Sequence, residues 1–183
     1  MNKPIITEED KKLVGSLVKK KKQSGTLSMT TKKVKRINRV NVYYNKGGNG
    51  GTYNTGTFYS VKNNSTVKYR SSYELKFFQM LEKDSTIVNY AVEAFSVNYL
   101  DADVISRSYI PDVLALTTKG TFIVYEIKPE DMLRDLTVQK KAQACKKYIK
   151  QAFGPLSEYK FITEKYLFKN NKEYLDFLKE IKK

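Results

Sequence analysis

The chain of 183 residues contains no histidine and no tryptophan, and only one cysteine, Cys145. The missing histidine excludes HNH-type nucleases, zinc deaminases and Ser-His-Asp hydrolases, all of which need an imidazole as base or ligand. A lone cysteine rules out an internal disulfide and a Cys-rich zinc site, so a reducing, cytoplasmic setting is expected. No stretch approaches the roughly 18 apolar residues of a membrane span, and the N-terminus has no apolar signal core. Acidic side chains are scarce: 19 against 34 Lys and Arg, for a net charge of +15. That balance is the footprint of a nucleic-acid partner, although anionic lipid or an acidic protein would attract the same charge.

What remains for hydrolytic chemistry is carboxylates, lysines and a borrowed metal. Residues 111–128 read as a hairpin: Asp112 to Thr117, the loop Thr118-Lys119-Gly120, then Thr121 to Lys128. A three-residue loop ending in glycine suits a type I turn closed by a left-handed residue. If Thr117 pairs with Thr121, Asp112 lies opposite Glu126, and opposed Cβ atoms sit about 5 Å apart. Side chains alternate with period 2, which puts Lys128 on the face of Glu126. Two carboxylates at that distance repel unless a cation lies between them, the way a hard-oxygen Mg²⁺ site is built. Lys128 beside them would orient or deprotonate a water, or stabilise charge on a phosphate. The plain alternative is a surface hairpin with solvated charges. Against it, Leu114, Leu116, Phe122 and Val124 on one face and Val113, Ala115, Ile123 and Tyr125 on the other make both faces apolar, the mark of central, doubly covered strands.

Pro111-Asp112, a gap, then Glu126-Ile127-Lys128 resembles the PD-(D/E)XK nuclease superfamily. The block Tyr69-Arg70-Ser71-Ser72-Tyr73-Glu74 is similar to the Y-R-S-x-x-E helix start of the head-completion nuclease of T-even phages and of the TnsA endonuclease of transposons. The likeness runs from about Tyr69 to Glu164 and includes Glu126 to Pro129 and the Lys160 to Glu164 strand. It implies an α/β, restriction-endonuclease-like core, with a mixed four-stranded sheet flanked by helices in the order αβββαβ. It also implies DNA cleavage with Mg²⁺ (Mn²⁺ as a substitute), with Glu74, Asp112, Glu126 and Lys128 as the catalytic set and the three carboxylates as metal ligands. These families often carry a lysine followed by a tryptophan on the helix after the E-x-K. Here Lys140-Lys141 takes that place.

Two domains are expected: a basic N-terminal arm with a Gly/Asn-rich loop (1–66) and a nuclease-like domain (67–183). Residues 1–50 carry a net charge of +10. The run Lys19 to Lys22 and the cluster Lys32, Lys33, Lys35, Arg36 and Arg39 lie there, as does a candidate helix over Glu8 to Lys22. With Arg70 and Lys140, that cluster is the expected DNA-binding set. The arm is either a basic tail with weak affinity for polyanions, or an element that tracks phosphates and threads between subunits of a large assembly such as a phage portal or connector, or a transposition complex. Asn45 to Gly56 reads as a flexible loop. In the core, the expected helices are Ser71 to Asp84, Leu133 to Phe153 (stopped by Gly154-Pro155) and Asn171 to Lys182; Phe95 to Leu100 is expected as the first strand and Tyr159 to Thr163 as the fourth. Several residues have structural readings. Glu74, three after Ser71, is a capping-box glutamate; Arg70 precedes a helix start and also suits a salt bridge; Glu93 reads as structural and Lys140 as solvated. Phe77, Phe78, Tyr148 and Phe161 read as core. The functional expectation is a Mg²⁺-dependent DNA endonuclease of a phage or mobile element, in the host cytoplasm or the virion. The alternatives are a virion head–tail junction protein with this fold, active or not, and a noncatalytic DNA-binding module.

Overall fold

The structure is a computed structural model that describes residues 36–37, 40–46 and 52–182, with side chains from Asn54 to Ile181. In chain order the elements are β1 (Arg36–Ile37), β2 (Val40–Lys46), β3 (Thr52–Ser60), β4 (Ser65–Tyr69), α1 (Ser72–Lys83), β5 (Ile87–Val92), β6 (Val97–Leu100), β7 (Ser106–Tyr109), β8 (Val113–Thr117), β9 (Phe122–Ile127), a 3₁₀ turn (Glu130–Arg134), α2 (Leu136–Ala152), β10 (Glu158–Ile162), α3 (Glu164–Leu167) and α4 (Asn171–Lys182). Among the described residues these fall into two compact units: residues 85–163, and residues 36–84 together with those from 164 onward. The expected boundary at 66/67 falls inside β4.

The unit of residues 85–163 is built on a mixed four-stranded sheet in the order β10-β9-β8-β5, with β10 parallel to β9 and the other pairs antiparallel. Every residue of β8 and β9 is buried, so the two-sided apolar pattern marks central strands, as expected. One face holds Ala91, Leu114, Leu116, Phe122 and Val124 against Cys145 and Ile149 of α2. Asp135 caps α2, its carboxylate accepting from the Val138 amide at 2.9 Å. The chain leaves α2 through Gly154 at φ +97°, a backbone state that glycine adopts without strain.

One expected strand moves. The first strand of the sheet is β5, not Phe95 to Leu100; β6 pairs with β7 in a separate two-stranded ribbon. The alternation at 95–100 marks a ribbon with one wet face, whereas β5, in the sheet, shows no such alternation. Tyr148 is also no core residue: it stands exposed and stacks on Phe95 at 5.3 Å.

In the second unit β1 to β4 form an antiparallel sheet. Most of the span expected as a Gly/Asn-rich loop is strand, since Asn45 pairs with Tyr53 and Lys46 with Thr52. Tyr and Thr at alternating positions outweigh the glycines. Burial alternates along β4, with Ser65, Val67 and Tyr69 inward. Leu75, Phe78 and Leu81 form the buried stripe of α1, and Phe58 of β3 meets Phe78 at 6.3 Å. The Glu82 carboxylate accepts from Ser60 Oγ (2.6 Å) and from the amides of Val61 (3.1 Å) and Lys62 (3.2 Å), tying the β3–β4 turn to this helix. In α4, Phe177 and Ile181 are buried, at the four-residue spacing of one helical face.

Candidate active site

The β8–β9 turn fixes the site. Gly120 sits at φ +73°, its amide donates to the Thr117 carbonyl at 3.0 Å, and the Thr117 amide donates to the Thr121 carbonyl at 2.9 Å. This is the expected type I turn with a left-handed closing glycine. The register that follows pairs Leu116 with Phe122, Ala115 with Ile123, Leu114 with Val124 and Val113 with Tyr125. One further step along the same register sets Asp112 opposite Glu126. A slip by one residue would send these carboxylates to opposite faces.

Asp112 is anchored by backbone. Its Oδ2 accepts from the Ile127 amide at 2.7 Å, and its own carbonyl accepts from the Glu93 amide at 2.8 Å. Glu93, at φ +47°, thus serves the turn that leads out of β5. Glu126 is 4 % exposed. Its Oε1 lies 2.9 Å from the Lys128 ammonium, while its Oε2 is buried without a hydrogen-bond partner. Burial and then the neighbouring Asp112 charge push the Glu126 carboxyl above the usual carboxylate range, and Lys128 and, more weakly, Lys141 pull against that.

Lys141 is a neighbour that spacing did not single out for this place. It lies on α2 with its ammonium 5.6 Å from the Tyr99 ring centre and 5.7 Å from that of Tyr109. The Tyr109 hydroxyl donates to the Lys141 carbonyl at 3.0 Å, which fixes the ring under the helix. The only sequence signal for it was its place in the Lys140-Lys141 pair. Cys145, also on α2, is held as a neutral thiol, with burial pushing its pKa up to about 11.

The donor set suits a hard divalent cation. A buried carboxylate oxygen without a partner beside a second carboxylate is a local excess of negative charge, and a bound cation removes it. Asp112 and Glu126 would hold that ion. Among the described residues, no group of three or more His, Cys, Asp or Glu side chains could do so.

The other expected residues belong to other elements. Glu74 is part of the second unit and acts as a cap: its Oε2 accepts from the Arg70 amide at 2.8 Å, its Oε1 lies 3.4 Å from Ser71 Oγ, and Ser71 Oγ accepts from the Glu74 amide at 3.1 Å. The carboxylate is turned to its own helix start, which is the capping-box reading. Arg70 is exposed at that start. Lys140 is not solvated throughout; it donates to the Asp101 carbonyl at 2.6 Å, in a cleft beside the β6–β7 ribbon. Arg36 lies in β1, and Lys32, Lys33, Lys35 and Arg39, like the candidate helix over 8–22, fall outside the described residues.

With the pair and its lysine in place, comparison with known proteins becomes informative. Residues 84–164 match the family model described as TnsA-like endonuclease N terminal. The TnsA resemblance read from the sequence therefore holds for this segment, which has a PD-(D/E)XK-like nuclease fold. The match coincides with the compact unit of residues 85–163 and contains Asp112, Glu126, Lys128 and Lys141. It starts after the Tyr69 to Phe78 block, so Glu74 and Arg70 lie outside it. No curated protein matches the chain.

Proposed function

We propose that this chain is a metal-dependent endonuclease that hydrolyses phosphodiester bonds in DNA, acting within the strand-transfer machinery of a mobile element. The observation that carries the reading is the unpartnered, buried Oε2 of Glu126 beside Asp112, with the Lys128 ammonium on Oε1. Mg²⁺, when bound, supplies an acidified water and neutralises charge on the scissile phosphate. The chain's own residues do the rest. Asp112, held by the Ile127 amide, and Glu126, held at the end of a buried strand, would supply the carboxylate ligands. Lys128 opposes the effect of burial on Glu126 and places positive charge beside the carboxylate pair. Lys141 adds a second cation from α2. DNA as the substrate is supported by the net charge of +15 and by the TnsA-like match.

The test is conversion of supercoiled plasmid to nicked or linear forms with Mg²⁺ or Mn²⁺, by the wild-type chain and by Asp112→Ala and Glu74→Gln proteins. The reading expects cutting that is lost with EDTA and in Asp112→Ala. It expects Glu74→Gln to keep cutting, since that residue caps α1; loss there would return Glu74 to the catalytic set. Equal cutting by wild type and Asp112→Ala would refute the assignment, and no cutting by folded wild type would leave a noncatalytic DNA-binding module.

A further inference from the structure

A second feature of the 85–163 unit is a cleft of about 500 Å³ between the β6–β7 ribbon and α2, apart from the carboxylate pair. From the ribbon it takes Asn98, Leu100 and Ser106; from the helix, Lys140, Gln143 and Lys147. Positions 140, 143 and 147 recur at the three- and four-residue spacing that puts side chains on one helical face. The ribbon side follows from its register, in which Asn98 pairs with Ser108 and Leu100 with Ser106, all four exposed, while Val97, Tyr99 and Tyr109 turn inward. No lining residue is acidic. In a cleft with two ammonium groups, that leaves amides and a hydroxyl as the neutral partners, the side-chain types that bind phosphate oxygens along a nucleic-acid backbone.

The walls are fixed in advance. Lys140 donates to the Asp101 carbonyl at 2.6 Å, and Tyr109 donates to the Lys141 carbonyl at 3.0 Å, so the ribbon is tied to the helix at two points. The ribbon tip is held by the Asp101 carboxylate, which accepts from the amides of Asp103 (3.0 Å) and Ile105 (2.9 Å) and from the Arg107 guanidinium. That tip keeps Val104 at φ +61°, a costly state for a β-branched residue that persists only where the surroundings impose it. Lys140 spends one of its three N–H groups on Asp101 and keeps two for a ligand.

From this we infer that the cleft is a second DNA contact, a preformed channel for the sugar–phosphate backbone that holds the substrate away from the bond to be cut. The inference rests on the nuclease reading only for the identity of the nucleic acid. A single helix serves both places: α2 carries Lys141 toward Glu126 and Lys140, Gln143 and Lys147 into the channel. A backbone lying along the ribbon would therefore run beside the helix that also carries Lys141, and its affinity would come from charge rather than base identity.

The experiment separates this channel from cleavage. Binding of a fluorescein-labelled duplex to the full chain is followed by anisotropy in EDTA across a salt series, so that catalysis plays no part. Each phosphate contact contributes about 0.9 to the slope of log affinity against log salt. Lys147→Gln is expected to lower the slope by about 0.9, and Gln143→Lys to raise it by a similar amount. Lys172→Gln, removing an exposed lysine of α4 outside the channel, is expected to leave it unchanged. An unchanged slope in both Lys147→Gln and Gln143→Lys would overturn the channel. Equal losses in Lys147→Gln and Lys172→Gln would also overturn it, by showing only diffuse attraction. Displacement of the duplex by inorganic phosphate at matched ionic strength would mean a site for an isolated phosphate instead. If plasmid cutting fails while these slopes shift as stated, the catalytic reading falls and the channel stands.

Discussion

At the residue scale, Glu126 decides the site. Its carboxyl is buried, faces Asp112 and is raised above the ordinary range. A carboxyl whose pKa is higher folded than unfolded stabilises the fold only while protonated in the folded state. In the absence of divalent metal, this group should cost stability progressively as pH rises through the unfolded carboxylate range, about 4.3, toward its higher folded value, and the full cost remains above that. Glu126→Gln, which cannot ionise, removes that dependence. Urea denaturation in EDTA at a series of pH values should show wild type losing ground against Glu126→Gln as pH rises; parallel curves would mean that the carboxyl is not strained. The same residue also shows what sequence alone can give. Asp112, Glu126 and Lys128 were legible as a set because strand alternation and one turn place them. Lys141 was not, because where a helical lysine settles depends on how the helix packs, and here its ammonium lies over the Tyr99 and Tyr109 rings.

At the scale of elements, the β8–β9 hairpin was legible to the residue, and the reason is local. A glycine that takes φ +73° sets the turn, the turn sets the register, and the register sets which carboxylates meet. An added Cβ at Gly120 meets nothing within 4 Å, so Gly120→Ala should cost only the left-handed backbone penalty, about 1–2 kcal/mol. Gly120→Asn should cost less, because asparagine tolerates this conformation. Chemical denaturation checks both, and equal losses would mean that the turn does not depend on the glycine. The helix start of α1 gives a second value: Ser71→Ala removes the bond to the Glu74 amide and should cost about 1 kcal/mol, measured the same way, without loss of cutting per folded molecule. Where reading failed, the missing information was not local. Phe95 to Leu100 has good strand alternation, yet its partner is the Ser106–Tyr109 ribbon strand rather than the sheet. The short segment Ile87–Val92 takes the sheet edge because it pairs with β8 across a register shift between Ile87 and Asn89. Pairing partners of that kind are set by tertiary contacts, which alternation does not encode.

At the scale of the whole molecule, charge and division into units matter most. The compact unit of residues 85–163 carries the carboxylate pair and the cleft, and it is the segment that matches the endonuclease family. Residues 1–35 hold ten of the 34 Lys and Arg, and removing them stops just before β1 begins at Arg36. This deletion should flatten the salt dependence of DNA binding by about 0.9 for every phosphate the arm touches, read by the same anisotropy series. An unchanged slope would take the arm out of DNA binding. The expectation of a polyanion partner rests on composition alone, since +15 is a property of the chain and not of its fold. The unit boundary was not legible, because β4 and α1 complete a sheet unit whose other strands begin in the stretch read as an arm.

The proposed chemistry depends on Asp112 and Glu126 sharing one divalent cation. Titration of Mn²⁺ followed by electron paramagnetic resonance of the free ion tests it without DNA or turnover. The account predicts a site in the wild-type chain that weakens in both Asp112→Asn and Glu126→Gln by more than the roughly 10–100-fold that loss of an outer-sphere partner costs. Mn²⁺ binding that persists undiminished in both variants would contradict it.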